Sequence, residues 1–379
     1  MLFRSVIKLF IGDLIGVFLL CADETVEGKS GHKTHGIDRF YSSIQQQPIR
    51  SVCLFGFSLV SVKSETSYPL GVEQVVKTEA DIALIKAKKE KKQAGKGKKA
   101  GRKQGQKNSV KPENQTASYR TFKSCFSKIT VSLLSVFGSL FKPIVVVDSA
   151  YGTQDYMDLI HSKGLKMISK FRCNTQLFLP HNKEEKKQGR PVKYGQKVVI
   201  SQLNPAFLIS ENVEKNKKTN VFNFQALNKS IPKYLLNIVV IQTTNTKTKK
   251  IAYAILFSND LTLTPDQIVA YYQLRFQIEF DFRDVKQYFG IHKMKNYKEV
   301  PMMQMFNLAF FSLTVSRMLV QQYRDLYNIP KLSIIDIKNI VRTRWILNSV
   351  LLSPQKDPIS INNSLAFEHF LPKDMINVA

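Results

Sequence analysis

One stretch of the sequence carries four polar side chains whose types suit phosphate and metal chemistry. They are a phenol, a guanidinium, a carboxylate and an ammonium group, contributed by Tyr272, Arg275, Glu279 and Lys286. At about 100° per residue of an α-helix, these four side chains fall within an arc of about 60°. A carboxylate flanked by two fixed cations and a phenol favours a site that binds a metal ion and phosphates together. The spacing alone fits an ordinary amphipathic helix with surface charges equally well.

The same stretch predicts a single helix of about seven turns between Thr264 and Gly290. Thr264 suits the N-cap, Pro265 suits the first helical position, and Gln267 completes a capping box with Thr264. Gly290 is a natural C-terminal stop for a helix. An apolar stripe fills the adjoining arc of about 80°, and its members are Leu274, Ile278, Phe282, Val285 and Phe289. The helix should therefore pack on a core and present its polar side chains at the edge of that core.

Two further acids follow apolar runs that are typical of buried strands. Residues 144–147 are four consecutive β-branched residues, as expected for a central strand covered on both faces, and Asp148 ends that run. Residues 18–22 are also apolar and lead directly to Asp23. Residues 6–22 resemble a signal peptide, but the run contains an acid and is shorter than the roughly 20 apolar residues of a membrane-spanning helix. A core strand is the preferred interpretation.

Asp23 has acidic neighbours in Asp13, Glu24 and Glu27. Side chains alternate between the two faces of a strand, so Glu24 should point away from the face that Asp23 occupies. Glu24 is therefore the poorer candidate ligand of the two.

The composition points to a polyanionic partner. The chain has 56 Lys and Arg residues against 29 Asp and Glu residues, a formal net charge of +27, which attracts nucleic acid first and an anionic membrane surface second. Residues 86–118 are rich in Lys, Arg, Gly, Gln and Ala. We expect a disordered loop there that binds phosphates without recognising the base sequence. The four cysteines form no C-x-x-C pair, which fits a reducing cytoplasm. Beyond the N-terminal run, we expect no segment able to cross a bilayer and no membrane partner.

The spacing Tyr272-x2-Arg275-x3-Glu279-x6-Lys286 resembles the Y-R-E-K signature of insertion-sequence transposases of the DDE class, in the family named after insertion sequence four. Three other stretches resemble members of that family, namely residues 22–26 (Ala-Asp-Glu-Thr-Val), 146–152 (Val-Val-Asp-Ser-Ala-Tyr-Gly) and 189–195 (Gly-Arg-Pro-Val-Lys-Tyr-Gly). The resemblance spans about residues 15–320. It implies an α/β fold with an RNase H-like mixed sheet flanked by helices, a β-rich insertion and a helical C-terminal region.

The resemblance also implies the roles of six side chains. The catalytic, metal-binding carboxylates are then Asp23, Asp148 and Glu279. Oxygen ligands of this kind suit Mg²⁺ or Mn²⁺, and we expect two ions. The remaining members of the signature are implied to hold DNA phosphates near the transposon end, and they are Tyr272, Arg275 and Lys286.

The function that follows from the resemblance is DNA transposition. We expect an enzyme that cleaves phosphodiester bonds at transposon ends and transfers the 3′ ends to target DNA, acting on double-stranded DNA as a homodimer in the cytoplasm, at the nucleoid. Only 22 residues precede Asp23, where members of the family usually carry a helical DNA-binding region. A truncated, catalytically inactive DNA-binding remnant is therefore the alternative, and a general nuclease without strand transfer is a third interpretation.

These expectations divide the chain into six segments. The catalytic core occupies residues 1–85 and 119–172, interrupted by the basic loop at residues 86–118. A β-rich insertion covers residues 173–262, the helix with the four polar side chains covers residues 263–300, and a helical C-terminal region covers residues 301–379.

Overall fold

The computed structural model describes residues 16–94, 116–181, 193–329 and 331–351. The strands within these residues are β1 (Phe18–Gly28), β2 (Asp38–Ser42), β3 (Gln47–Ser61), β4 (Ser67–Val75), β5 (Ile144–Val147), β6 (Met167–Phe171), β7 (Leu177–Pro180), β8 (Tyr194–Val198), β9 (Leu208–Glu214), β10 (Lys217–Asn228), β11 (Ile231–Asn245) and β12 (Ile251–Ser258). The α-helices are α1 (Glu79–Ala94), α2 (Ala117–Phe137), α3 (Gln154–Ser162), α4 (Pro265–Leu274), α5 (Gln277–Tyr288), α6 (Glu299–Tyr327) and α7 (Ile334–Leu351). Short 3₁₀ turns occupy Ile200–Gln202, Pro205–Phe207 and Ile291–Lys293.

All the strands belong to one mixed sheet. Its order is β2-β3-β1-β5-β6-β12-β11-β10-β7-β8, with β4 also paired to β3 and β9 to β10. Strands β1, β5 and β6 run parallel to one another, whereas β3 is antiparallel to β1 and β12 is antiparallel to β6. This mixed sheet, its flanking helices and the helical region after residue 298 confirm the predicted RNase H-like fold class. Residues 352–379 of the predicted C-terminal region lie outside the described residues.

Hydrophobic cores cover both faces of the central strands, as the apolar runs predicted. Leu20 and Ala22 of β1 face a first core, which α2 and α3 complete. Leu19 and Cys21, which alternate with them, face a second core built with α4, α5 and α6. The residues described from the N-terminal run therefore form a buried strand, and residues 6–15 lie outside the described residues.

The β-rich segment extends the catalytic sheet. Strands β7 to β12 account for most of its described residues, and β12 joins them to the centre of the sheet by pairing with β6, from Ile255 opposite Phe171 to Ser258 opposite Ile168. The predicted insertion is therefore continuous with the sheet that carries the candidate acids.

The prediction of one uninterrupted helix between Thr264 and Gly290 is wrong. Helix α4 ends before Arg275, and α5 begins after Phe276. The backbone N–H groups of these two residues donate to the carbonyl oxygens three positions earlier, at 3.2 and 3.1 Å, instead of four positions earlier. Both residues keep right-handed helical dihedral angles, so the chain tightens locally without changing hand. An apolar stripe cannot reveal such a tightened turn, which in mid-helix often marks a hinge or a strained sequence.

The prediction of a disordered loop over residues 86–118 is wrong at both ends. Helix α1 continues to Ala94, and α2 begins at Ala117, after Thr116 caps it. Ala, Lys, Glu and Gln are strong helix formers, so a basic composition does not end a helix. The first glycine of this stretch, Gly95, follows the last helical residue. Residues 95–115 lie outside the described residues.

Helix α6 corrects the expectation that no further segment could cross a bilayer. Among the described residues, it is long and apolar enough to do so by length and composition alone. Its inward face packs on the second core through Met302, Phe306 and Leu313. The Thr314 hydroxyl of α6 also donates to the Pro69 carbonyl oxygen of β4 at 2.8 Å. These contacts account for its apolar residues as part of the core.

Candidate active site

Strand pairing brings the first two candidate acids to one edge of the sheet. Ala22 of β1 pairs with Val147 of β5 in a parallel register, so the next residues, Asp23 and Asp148, lie side by side where β5 ends. Asp23 alternates with Ala22 and shares the face of Leu19 and Cys21, on which α4 and α5 pack.

Glu279 reaches the same place from α5. It lies in the first turn of that helix, next to Ile278 and Phe282, which anchor the helix in the second core. Glu279 follows Arg275 by four residues in the sequence. Glu279 is 41% exposed, whereas Asp23 is 21% exposed, so the glutamate lies on the solvent side of the group.

Arg275 joins the two carboxylates. One guanidinium nitrogen donates to Asp23 Oδ2 at 2.9 Å, and the other terminal nitrogen donates to Glu279 Oε1 at 2.8 Å. The arginine side chain is only 7% exposed, and within the part of the chain that the structure describes its Nε has no hydrogen-bond partner. Charge attraction to Asp23 and bonding to Glu279 raise the pKa of Arg275 against the opposing effect of burial. The guanidinium is thus a permanent cation shared by two acids.

The other two members of the signature also contact protein groups. The Tyr272 hydroxyl donates to Asp148 Oδ1 at 3.1 Å. Lys286 donates to the Val26 carbonyl oxygen at 2.7 Å and lies 3.6 Å from Glu27 Oε2. Burial lowers the pKa of Lys286 while the charge of Glu27 opposes that change. Phosphate contacts by these side chains remain a prediction, because each is engaged with the protein in this arrangement.

The carboxylates influence one another electrostatically. Burial raises the pKa of Asp23 from 3.8 to about 6, against the lowering effects of Arg275 and the Glu24 backbone N–H, and the charges of Asp148 and Glu279 raise it further. The pKa of Asp23 therefore depends on the charges of both other acids, although these come from distant parts of the chain. Burial and the charge of Asp148 raise the pKa of the Tyr272 phenol to about 12.

The site is not arranged as the preformed pair of metal sites that the resemblance implies. Within residues 16–94, 116–181, 193–329 and 331–351, no group of three His, Cys, Asp or Glu side chains is positioned to hold a metal ion. The donor chemistry nevertheless fits a hard divalent cation, because all three candidate ligands are carboxylates. Asp23 and Glu279 already share one cation, the Arg275 guanidinium.

Glu24 occupies the opposite face of β1, as the alternation of side chains predicted. Its Oε2 atom accepts from the Cys53 thiol at 3.6 Å, and burial raises the pKa of its carboxyl group. Burial raises the pKa of Tyr151 and Tyr156, which belong to the first core, and the charge of Glu24 raises it further. Glu24 is therefore separated from Arg275 and Glu279 by the sheet.

A second arginine cluster on α5 was not anticipated from the sequence. Arg317 of α6 pairs with Asp281 and with Asp284, the latter at 3.0 Å. The Ser58 and Ser67 hydroxyls each donate to Asp281 at 2.5 Å. One signal was available, because Asp281 lies about 20° from the apolar stripe of the helix and so borders the core.

Comparison with known families adds independent findings. Residues 1–220 match the family model described as DDE superfamily endonuclease, and residues 127–315 match the model described as transposase DDE domain. The first match includes Asp23 and Asp148, and the second includes Asp148 and Glu279. No curated protein matches the chain.

Proposed function

The chain belongs to the DDE superfamily of endonucleases, and from that premise we propose that it is a DNA transposase of the insertion-sequence-four family. It cuts phosphodiester bonds at transposon ends and joins the 3′ ends to target DNA. The transposase domain match supports the transposase class, and the Y-R-E-K spacing supports the finer assignment. Pairing of two transposon ends calls for two copies of the chain, so we propose a homodimer as the active form.

One observation carries this proposal. Arg275 bonds both Asp23 and Glu279, and Asp148 follows Val147, which pairs with Ala22, so three carboxylates from β1, the end of β5 and α5 converge at one edge of the sheet. Carboxylates that repel one another are costly to hold together unless a cation compensates them. Because Arg275 satisfies only part of this demand, the group suits additional positive charge during catalysis.

We assign Asp23, Asp148 and Glu279 as the residues that hold divalent cations, Mg²⁺ or Mn²⁺. Such a pair of ions, when bound, activates a water or a 3′-hydroxyl and stabilises the leaving oxygen of the phosphodiester. Arg275 must release at least one of its two carboxylates for that state to form. Its guanidinium is then available to bind a phosphate through two parallel hydrogen bonds.

Tyr272 serves as a contact residue and not as a nucleophile. With a pKa of about 12, its phenol stays protonated at neutral pH, and its hydroxyl already donates a hydrogen bond to Asp148. Cleavage therefore needs no covalent protein–DNA intermediate. Lys286 acts as a point charge at the same edge and holds a phosphate once it leaves the Val26 carbonyl oxygen.

Cleavage of linear DNA that carries the ends of the surrounding genetic element tests the proposal. With Mg²⁺, the wild-type protein should nick the DNA at the element ends, and a chelator should abolish the nicks. Joining of the resulting 3′ ends to a second DNA then distinguishes a transposase from a general nuclease. Absence of metal-dependent cleavage by folded, DNA-bound protein would contradict the proposed function.

A further inference from the structure

Two neighbouring turns at the end of the β-rich segment concentrate positive charge. One turn joins β9 to β10 and the other joins β11 to β12, and the Thr246 N–H donates to the Asn216 carbonyl oxygen between them at 2.9 Å. Six lysines occupy these turns and their first paired residues, and we call them the lysine tip: Lys215, Lys217, Lys218, Lys247, Lys249 and Lys250.

The lysine tip has little acidic compensation. Within the described part of the chain, Lys218 pairs with Glu211 at 2.7 Å, and no ion pair joins the other five lysines to an acid. These five side chains are exposed, and β9 is exposed along its whole length. The tip therefore presents cations to solvent on a ribbon that the cores do not cover.

Strand register places the lysine tip on the same edge of the sheet as the candidate carboxylates. Asp148 follows the C-terminal end of β5, which runs parallel to β6. Phe171, at the corresponding end of β6, pairs with Ile255 of β12, and β12 extends four residues further to Ile251 before the turn. At about 3.3 Å per residue and 4.8 Å between strands, the tip extends from roughly 20 Å from Asp148 at Lys250 to roughly 30 Å at Lys215. These distances correspond to about six to nine base pairs of B-form DNA at roughly 3.4 Å each.

We propose that the lysine tip binds the phosphate backbone of double-stranded DNA on one side of the bond that is cut. This inference rests on the proposed function, since it assumes that the carboxylates meet a DNA strand at this edge. Unpaired lysines on an exposed ribbon bind phosphates through charge and do not read base sequence. The lysine tip therefore holds the duplex in place and adds affinity without adding sequence preference.

Two of the lysines offer a substitution that spares the fold. Lys215 and Lys249 have positive φ angles of 45° and 58°, a conformation that asparagine adopts more readily than most side chains. The double variant Lys215→Asn/Lys249→Asn should therefore fold as well as the wild type. Lys63 and Lys163 are exposed and lie at the opposite edge of the sheet, beside the start of β1 and of β6. Lys63→Asn/Lys163→Asn is the matched control, because it removes the same charge.

The test measures binding of a fluorescein-labelled DNA duplex of random sequence by anisotropy, in chelator, over a range of NaCl concentrations. Each phosphate contact contributes about 0.9 to the slope of log K against log salt. The tip variant should bind more weakly than the control and show a slope shallower by about 1.8, corresponding to two lost contacts. Equal affinities and slopes for the two variants would overturn the inference.

The outcome is separable from that of the proposed function. The binding assay contains no divalent cation, so it does not depend on cleavage. If wild-type protein binds DNA through the lysine tip but never cleaves it with Mg²⁺, the proposed function is wrong and the inferred DNA binding by the tip is supported. If it cleaves normally and the tip variant binds like the control, only the lysine tip fails.

Discussion

Helix α5 contributes acids to two clusters in which one arginine bonds two carboxylates, and the two clusters have different surroundings. In the first, Arg275 bonds Asp23 and Glu279. In the second, Arg317 bonds Asp281 and Asp284. Both arginines are nearly buried, with 7% and 10% of the side chain exposed. The carboxylates differ, because Glu279 is 41% exposed and Asp281 is fully buried.

The difference separates a structural ion cluster from one suited to exchange its cation. Asp281 receives hydrogen bonds from two serine hydroxyls besides Arg317, so its oxygens have partners within the protein. Among the described residues, Glu279 accepts from no such added donor, and the Nε of Arg275 has no partner there either. The buried Arg317 cluster, whose carboxylate oxygens are hydrogen-bonded within the protein, holds α5 in place. The more exposed Arg275 cluster can still bind a metal ion or a phosphate.

Removal of Arg317 should have the greatest effect on stability. Arg317→Met leaves Asp281 buried without its cation, and breaking a buried ion pair by removing one partner costs about 3–5 kcal/mol. Urea unfolding followed by circular dichroism measures the loss. A cost below about 1 kcal/mol, typical of an exposed pair, would show that this cluster is not structural.

The Arg275 cluster should make the free energy of unfolding depend on pH through Asp23. Asp23 has a folded-state pKa of about 6 against an ordinary 3.8, so the folded protein holds this proton more tightly than the unfolded chain does. The free energy of unfolding should therefore fall as pH rises from about 4 to about 6, by on the order of 3 kcal/mol, and stay lower above that range. Asp23→Asn should lack this fall.

Urea unfolding of both proteins between pH 4 and pH 7 measures the difference. Groups common to both proteins cancel when the two curves are subtracted. A wild-type minus variant difference that does not change with pH would mean that Asp23 is not perturbed by its surroundings.

Removal of Arg275 should cost less than removal of Arg317. In Arg275→Met, Glu279 is hydrated and Asp23 is partly so, and the expected loss is about 1–2 kcal/mol. The same variant should raise the pKa of Asp23 further, because Arg275 is the main influence that lowers it. Urea unfolding at neutral pH ranks the two variants, and equal losses would remove the distinction between the clusters.

An exposed ion pair sets the lower end of the scale. Lys128 pairs with Glu73 at 2.6 Å and is 71% exposed, so Lys128→Met should change the free energy of unfolding by less than about 1 kcal/mol. The same urea assay checks this value. A loss as large as that of Arg317→Met would show that exposure does not govern these clusters.

Local sequence signals predicted the parts of the site that depend on neighbouring residues. The capping box forms as expected, with the Thr264 and Gln267 side chains each bonding the other's backbone N–H. The β-branched run before Asp148 forms the buried strand β5. Alternation along β1 correctly separated Asp23 from Glu24. Each of these rests on periodicity or capping that acts within a few residues.

Contacts between distant residues could not be read in the same way. Ser58 and Asp281 are 223 positions apart, and Arg317 lies on another helix. No local sequence spacing could therefore predict that these residues contact one another. The tightened turn at Arg275 could not be predicted from the sequence for a related reason. It lies where Arg275 bonds Asp23, 252 positions away, and helix propensity does not register that contact.

Cleavage of DNA with Mg²⁺ by Glu279→Gln, beside the control Asp266→Asn, is the most direct measurement of the proposed chemistry. Asp266 is an exposed acid at the start of α4, so its substitution should leave cleavage unchanged. Loss of groups that merely orient metal ligands costs about 10–100-fold, and loss of a ligand itself should exceed about 100-fold. Glu279→Gln should bind DNA like the wild type and fail to cut it. Wild-type cleavage by Glu279→Gln would contradict the proposed chemistry.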